Sequence, residues 1–171
     1  LSRLSRYARA VAQEEPYRKY RPLVQACYGR LDETQRNSED GKSVSFYLTL
    51  EIIEEGMMCP DVELFGLDGT RYRLSDFRGK YVLLDFWGRN CGPCKASIPE
   101  LEKIVRENGK CLTLVSITTD GEKGWRKYSD KHPFLWHNLC DGGGWNGLVA
   151  RFGFNGVPAF VLLSPEGKVL S

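Results

Sequence analysis

Two cysteines separated by two residues are the side chains of this sequence best suited to do chemistry. Cys91 and Cys94 enclose Gly92 and Pro93. This spacing brings two sulfurs close enough to form a disulfide, and unpaired N–H groups at a helix N-terminus favour a thiolate over a thiol. Pro93 fits the first turn of a helix because it has no N–H to lose. The motif predicts thiol–disulfide exchange, with Cys91 as the more exposed and more acidic sulfur.

A buried strand and a helix are the elements that must hold this motif. An apolar run beginning at Tyr81 leads into it. The apolar positions that follow are spaced as one face of a helix: Ile98, Leu101, Ile104 and Val105. The two cysteines are therefore expected where a strand passes through a short turn into a helix.

The strand and motif together resemble a known family. Asp85-Phe86-Trp87 followed by Cys91-Gly92-Pro93-Cys94 resembles the thioredoxin superfamily, and residues 59–64, 67–70 and 74–80 resemble the entry segments of its TlpA/ResA-like branch. The resemblance continues to the end of the chain. It implies an α/β, thioredoxin-like three-layer fold with a central mixed β-sheet, an N-terminal β-hairpin and an extra helix-strand insertion, preceded by a mainly helical N-terminal segment.

The resemblance also assigns partners to the cysteines. Val157-Pro158 matches the position of the family's cis-proline, which implies a loop beside the motif whose backbone at Val157 pairs with a bound peptide. Asp85 would lie on the strand beneath the cysteines, where burial raises a carboxyl pKa. A carboxyl there could take the proton of Cys94 through water. The alternative is an Asp85 that only bonds backbone at a strand edge.

Two further residues are expected to contact the substrate. Trp87 is predicted to lie by the active site. Family members usually carry a tryptophan just before the first cysteine, and this chain has Asn90 there, preceded by Arg89. Losing that indole opens the surface near Cys91, so substrate preference is expected to differ from that of the family.

The resemblance implies a reductase. Its substrates would be disulfide-containing partner proteins, an upstream thiol–disulfide donor would supply electrons, and no cofactor beyond the Cys91–Cys94 disulfide is expected. One alternative is a thiol peroxidase of related fold, but that chemistry needs a threonine three residues before the cysteine, where this chain has Gly88. The other is a non-catalytic, peptide-binding thioredoxin-like module.

The domain boundary is expected near residue 56. Residues 1–56 would form a mainly helical N-terminal segment and residues 57–171 the thioredoxin-like domain, with the family's C-terminal helix missing. Ser43–Ile53 fits both strand alternation and a helix face, and we predict helix. The first residue is Leu1 and no signal peptide is visible, which suggests a trimmed chain.

Composition excludes several classes of protein. The 171 residues include 24 Lys and Arg against 22 Asp and Glu, with no basic patch interleaved with aromatics, so no nucleic-acid partner is expected. No apolar run reaches transmembrane length. The resemblance implies an extracytoplasmic location, in the bacterial periplasm or cell envelope, with a possible membrane tether outside this chain.

Four other cysteines and a possible metal site have separate interpretations. Cys111 and Cys27 are expected to be small core residues. Cys59 and Cys140 lie in less regular segments and could be exposed thiols or a second disulfide. A zinc site could use four ligands of suitable type, but the strand-to-helix setting favours redox chemistry, and no metal is expected. The four candidate ligands are Cys91, Cys94, His132 and His137.

Overall fold

The computed structural model describes residues 1–171 as two compact units. The first comprises Leu1–Ile52 and Ala150–Asn155, and the second comprises Ile53–Val149 and Gly156–Ser171. The boundary between residues 56 and 57 remains a prediction about domain organisation.

The first unit is helical, as predicted for the N-terminal segment. Its helices are α1 (Ser2–Gln13), α2 (Glu15–Arg18), α3 (Arg21–Gly29), α4 (Glu33–Asn37) and α5 (Glu39–Thr49). Side-chain oxygens of Asp32 and Ser38 accept backbone N–H groups at the starts of α4 and α5, which fixes where these helices begin. The helix predicted over residues 43–53 is confirmed as α5, which ends four residues earlier. Val11, Val24 and Val44 belong to the buried core of this unit.

The second unit contains a six-stranded mixed sheet, so the predicted fold is confirmed. Its elements are β1 (Glu63–Phe65), β2 (Arg71–Arg73), β3 (Tyr81–Trp87), α6 (Gly92–Asn108), β4 (Leu112–Thr118), α7 (Glu122–Ser129), β5 (His137–Cys140), α8 (Leu148–Arg151, shared with the first unit) and β6 (Ala159–Leu163). The strand order is β2-β1-β5-β4-β3-β6. The N-terminal hairpin is β1–β2, and α7 with β5 forms the inserted helix-strand pair.

The strand that leads into the cysteine motif lies inside the sheet. β3 pairs in parallel with β4 and antiparallel with β6. Because neighbours cover both of its edges, its apolar residues are buried, and Leu84 and Phe86 have no exposed surface. In this register Asp85 lies opposite Ser116 on β4 and Phe160 on β6. The pairing of β3 with β4 and β6 therefore fixes the position of Asp85 in the sheet.

No helix has the length and apolar composition that crossing a bilayer requires.

Candidate active site

The two cysteines of the motif are joined by a disulfide at the start of α6. Their Cα atoms lie 5.3 Å apart, and Cys91 is the residue that caps the helix. Its Sγ accepts the backbone N–H of Cys94 at 3.1 Å. Cys91 is half-buried, whereas 4% of Cys94 is exposed. Cys91 is therefore the more accessible of the two sulfurs, and in the reduced protein the same N–H would stabilise a thiolate there.

The residues between the cysteines leave the disulfide approachable. Gly92 and Pro93 form the first turn of α6, and both are exposed. A Cβ atom added to Gly92 would meet nothing within 4 Å. Pro93 removes no helical hydrogen bond, because the first N–H groups of a helix have no partner within it. The surface above the disulfide is thus open to another chain.

The loop before β6 lies against the disulfide. The carbonyl oxygen of Val157 is 3.4 Å from Cys91 Sγ, although 66 residues separate the two. The Val157–Pro158 peptide bond is cis. Val157 also contacts the hydrophobic cluster around Trp87 and Cys94. The structure therefore brings into contact the two segments that the family resemblance linked.

Asp85 is buried on β3 and has one hydrogen-bond partner. Only 2% of the residue is exposed. Its Oδ2 accepts the Ser116 hydroxyl at 2.6 Å, and its Oδ1 is buried with no partner. Burial raises the pKa of Asp85 to about 6, and the Ser116 hydrogen bond opposes that shift. The carboxyl can therefore gain or lose a proton near neutral pH, and no hydrogen bond links it to either cysteine.

Trp136 orients the Ser116 hydroxyl, which donates a hydrogen bond to Asp85. Its indole N–H donates to Ser116 Oγ at 2.7 Å. A hydroxyl has a single proton, so with Trp136 donating to its oxygen, Ser116 is left to donate towards Asp85. The three side chains form one hydrogen-bonded series that ends on the buried carboxyl.

Trp87 lies at the end of β3 within the buried cluster around Cys94. It is 3% exposed, and its ring centroid is 5.5 Å from that of Tyr128 and 5.0 Å from that of Phe134. It therefore supports Cys94 from within the protein. The contact with substrate expected of Trp87 stays a prediction.

Asn138 on β5 satisfies the polar atoms of two buried indoles. Its Oδ1 accepts the N–H of Trp87 at 3.2 Å and that of Trp125 at 3.0 Å, and its Nδ2 donates to Ser129 Oγ at 2.9 Å. All four residues are buried. One amide side chain therefore ties β3, α7 and β5 together behind the disulfide.

Replacing Asn138 with alanine should lower the free energy of unfolding by about 2–6 kcal/mol. The change leaves two buried indole donors unsatisfied, each at a cost of roughly 1–3 kcal/mol. Denaturant unfolding measures the effect, and Asn146→Ala, at an exposed position, is the matched control. Equal midpoints for the two variants would show that Asn138 is not needed there.

The residues just before Cys91 face solvent. Asn90 is exposed beside the half-buried sulfur, where a partner can contact it. The Arg89 backbone N–H donates to Asp120 Oδ2 at 2.6 Å, and its guanidinium lies 3.6 Å from Asp120 Oδ1. A Cβ atom on Gly124 would come within 2.5 Å of the same guanidinium. Arg89 is thus directed towards α7 and paired with a carboxylate.

The candidate zinc ligands do not form a cluster. The His132 ring stacks on Tyr128 with centroids 4.3 Å apart, and the His137 ring contacts those of Tyr72 and Phe77. No group of three or more His, Cys, Asp or Glu side chains could hold a metal ion. The histidines therefore serve aromatic packing.

The sequence-based expectations for the other cysteines need correction. Cys111 is exposed and not a core residue, because it lies in the turn after α6, where its N–H bonds the Asn108 carbonyl, and β4 begins one residue later. Cys27 is only half-buried. Cys59 and Cys140 are both buried and form no disulfide, so they are neither exposed thiols nor a second redox pair.

Sequence reasoning missed Ser116 and Trp136. A usable signal existed for the first, because Ser116 is a polar residue inside the apolar run Leu114–Ile117 of a buried strand. Buried polar groups need partners, so Ser116 and Asp85 on neighbouring buried strands were candidates to bond each other. Trp136 gives no such signal, since its position depends on the irregular segment before β5.

A disulfide capping a helix after a buried strand, beside the loop at Val157, is the site of a thioredoxin-like thiol–disulfide oxidoreductase. The chain belongs to the AhpC/TSA family, whose model matches residues 56–171. It is similar to the thioredoxin-like protein YneN of Bacillus subtilis, with 31% identity over 121 residues, 68% of this chain and 69% of the relative. It is 27% identical to the thiol-disulfide oxidoreductase ResA of Geobacillus thermodenitrificans over 128 residues, 73% of this chain and 72% of ResA.

Solved structures similar to this chain belong to the same class of thioredoxin-like proteins. The thioredoxin domain of a thiol-disulfide oxidoreductase from Bacteroides vulgatus has a TM-score of 0.62 and 29% identity, covering 70% of this chain and 87% of that domain. An exposed lipoprotein thioredoxin from Streptococcus pneumoniae has a TM-score of 0.57 and 31% identity, covering 66% of this chain and 87% of that one. The class of enzyme is therefore common to relatives and structural neighbours.

Proposed function

We propose that this protein reduces disulfides in partner proteins through the dithiol of Cys91 and Cys94. The observation that carries the proposal is the unequal exposure of the joined sulfurs. Cys91 is half-buried at a helix N-terminus, and Cys94 is buried one turn deeper. The first is suited to attack a partner and the second to act only within the protein.

The reaction has two exchange steps. The Cys91 thiolate attacks one sulfur of the partner disulfide, which forms a mixed disulfide and releases the other partner sulfur as a thiolate. Cys94 then loses its proton and attacks Cys91 Sγ, which releases the second partner sulfur. Two electrons pass to the partner, and Cys91 and Cys94 end as the disulfide found in the structure. An upstream dithiol donor restores the reduced form.

The surrounding residues receive supporting roles. Asp85, with a pKa raised to about 6, accepts the proton of Cys94 through water. The Val157 backbone and Pro158 hold the partner segment beside Cys91, and exposed Asn90 contacts it. Trp87 keeps Cys94 in place.

We further propose an extracytoplasmic site of action. The likeness to an exposed lipoprotein thioredoxin supports it, and disulfide-bearing substrates are common outside the cytoplasm. A bacterial periplasm or cell envelope is the compartment expected.

A reductase assay should show turnover of a protein disulfide. With insulin as substrate and dithiothreitol as donor, the intact chain should accelerate reduction in proportion to its concentration. Consumption of hydrogen peroxide, measured in parallel, should be much slower. Faster reaction with peroxide would instead indicate a peroxidase, and binding of peptide without turnover a non-catalytic module.

A further inference from the structure

The helical unit contains an open cavity that the redox chemistry does not use. It has a volume of about 500 Å³, within the range of roughly 300–1,000 Å³ found for small-molecule sites. Leu4 and Ala10 of α1 and Val24 of α3 contribute to its wall, with Tyr7 and Leu23 more exposed. The lining is carbon almost throughout.

This lining leaves large apolar side chains in contact with water. Tyr7 is 63% and Leu23 64% exposed. Contiguous exposed apolar surface is unfavourable and usually marks a binding site. A polar ligand body would lose its hydrogen bonds with water there and find few replacements. The chemistry of the wall therefore selects an acyl or similar apolar chain.

The lining of the cavity includes unpaired positive charge. Arg3 belongs to its lining, and a second cavity of about 250 Å³ that shares Arg3 and Tyr7 with it is also lined by Arg6. Both arginines are exposed, neither forms an ion pair, and no acidic side chain lines either cavity. Two guanidinium groups, one in the lining of the apolar cavity and one in the adjoining cavity, suit a carboxylate or another anion.

We infer that the helical unit binds an anionic amphiphile of the fatty-acid class. Its chain occupies the cavity between α1 and α3, and its head group lies on Arg3 and Arg6. The occupant is a single ligand and not a bilayer surface, because the apolar residues line a cavity of about 500 Å³. This site is independent of the proposed reductase activity.

Dodecanoate, below its micelle concentration, is the probe. Calorimetric titration of the full chain should show saturable binding of dodecanoate, weaker binding of dodecanol, and the weakest binding of dodecyltrimethylammonium. Arg3→Gln combined with Arg6→Gln should weaken dodecanoate about two- to thirtyfold, the effect of two exposed ion pairs, and leave dodecanol unchanged. Arg30→Gln, at an exposed arginine outside the lining, should change nothing.

A second pair of variants tests the cavity itself. Ala10→Phe fills it and should abolish binding of both dodecanoate and dodecanol, whereas Ala26→Phe, at an exposed position on α3, should not. Far-UV circular dichroism of all variants verifies that the helical unit, which carries these substitutions, is folded. Absence of saturable binding, or equal affinity for the cationic amphiphile, would overturn the inference. So would binding to phosphatidylglycerol vesicles that Ala10→Phe leaves intact, which would indicate a membrane-contact surface.

Discussion

Replacing Cys94 with serine should convert the protein from a catalyst into a trap. Turnover of a protein disulfide should fall by roughly a thousandfold or more, because the second exchange step loses an intramolecular thiol of very high effective concentration. The first step remains, so partner proteins should accumulate as mixed disulfides on Cys91. Non-reducing gels and mass spectrometry of the adducts measure this outcome and identify the substrates.

The geometry explains why the adduct should form on Cys91. Its sulfur is half-buried, caps α6 and accepts the Cys94 N–H at 3.1 Å, a contact that the serine variant keeps because it involves only backbone at that residue. Cys94 is 4% exposed and reaches nothing outside the protein. The two sulfurs are therefore not interchangeable.

Two control variants make the trap decisive. Cys91→Ser should yield no adduct and no turnover. Cys111→Ser, which removes an exposed thiol outside the motif, should behave as the parent protein does. If Cys91→Ser traps partners and Cys94→Ser does not, the proposed roles of the two cysteines are reversed.

The motif was predictable because its chemistry is local. Cys91 and Cys94 are three residues apart, and the apolar spacing around them predicts a strand followed by a helix. Cys91 and Val157 are in contact although they lie 66 residues apart in the sequence, and residue spacing does not predict contacts between such distant segments. Only the resemblance to a known family linked those segments.

Other features were hidden because they depend on register or on where an element ends. Ser116 meets Asp85 only because β3 and β4 pair with these residues opposite each other. Cys111 precedes an apolar run, which predicts a core residue, yet the turn that closes α6 includes it and leaves it exposed. Apolar patterns locate elements well, but their ends are decided by individual hydrogen bonds.

Replacing Asp85 with asparagine should slow the second exchange step about a hundredfold or more above pH 6, the effect of losing a general base. In the parent protein the rate of that step should be constant above pH 6 and fall about tenfold per pH unit below it. The reason is that the pKa of Asp85 is raised to about 6, and a protonated carboxyl cannot accept the proton of Cys94. In Asp85→Asn this break should disappear. Single-turnover release of a partner from the Cys91 mixed disulfide measures it.

The same substitution should raise stability, which separates a chemical role from a structural one. The pKa of Asp85 rises from an ordinary 3.8 to about 6 in the folded protein, so between these pH values the folded state binds more protons than the unfolded state. Stability of the parent should therefore fall as pH rises through this window, by about 3 kcal/mol for a shift of roughly two pKa units. The asparagine variant should lack this loss and, above pH 6, unfold at higher denaturant concentration.

Ser116→Ala provides the matched control, because it leaves the carboxyl in place and removes the one hydrogen bond that lowers its pKa. The break in the pH profile should persist in Ser116→Ala but move above pH 6. Trp136→Phe removes the donor to Ser116 and should shift the break in the same direction by a smaller amount. A break that stays at the same pH in all three variants would assign it to a group other than Asp85. Loss of stability in Asp85→Asn above pH 6 would show that the charged carboxylate stabilises the fold, contrary to the burial that raises its pKa.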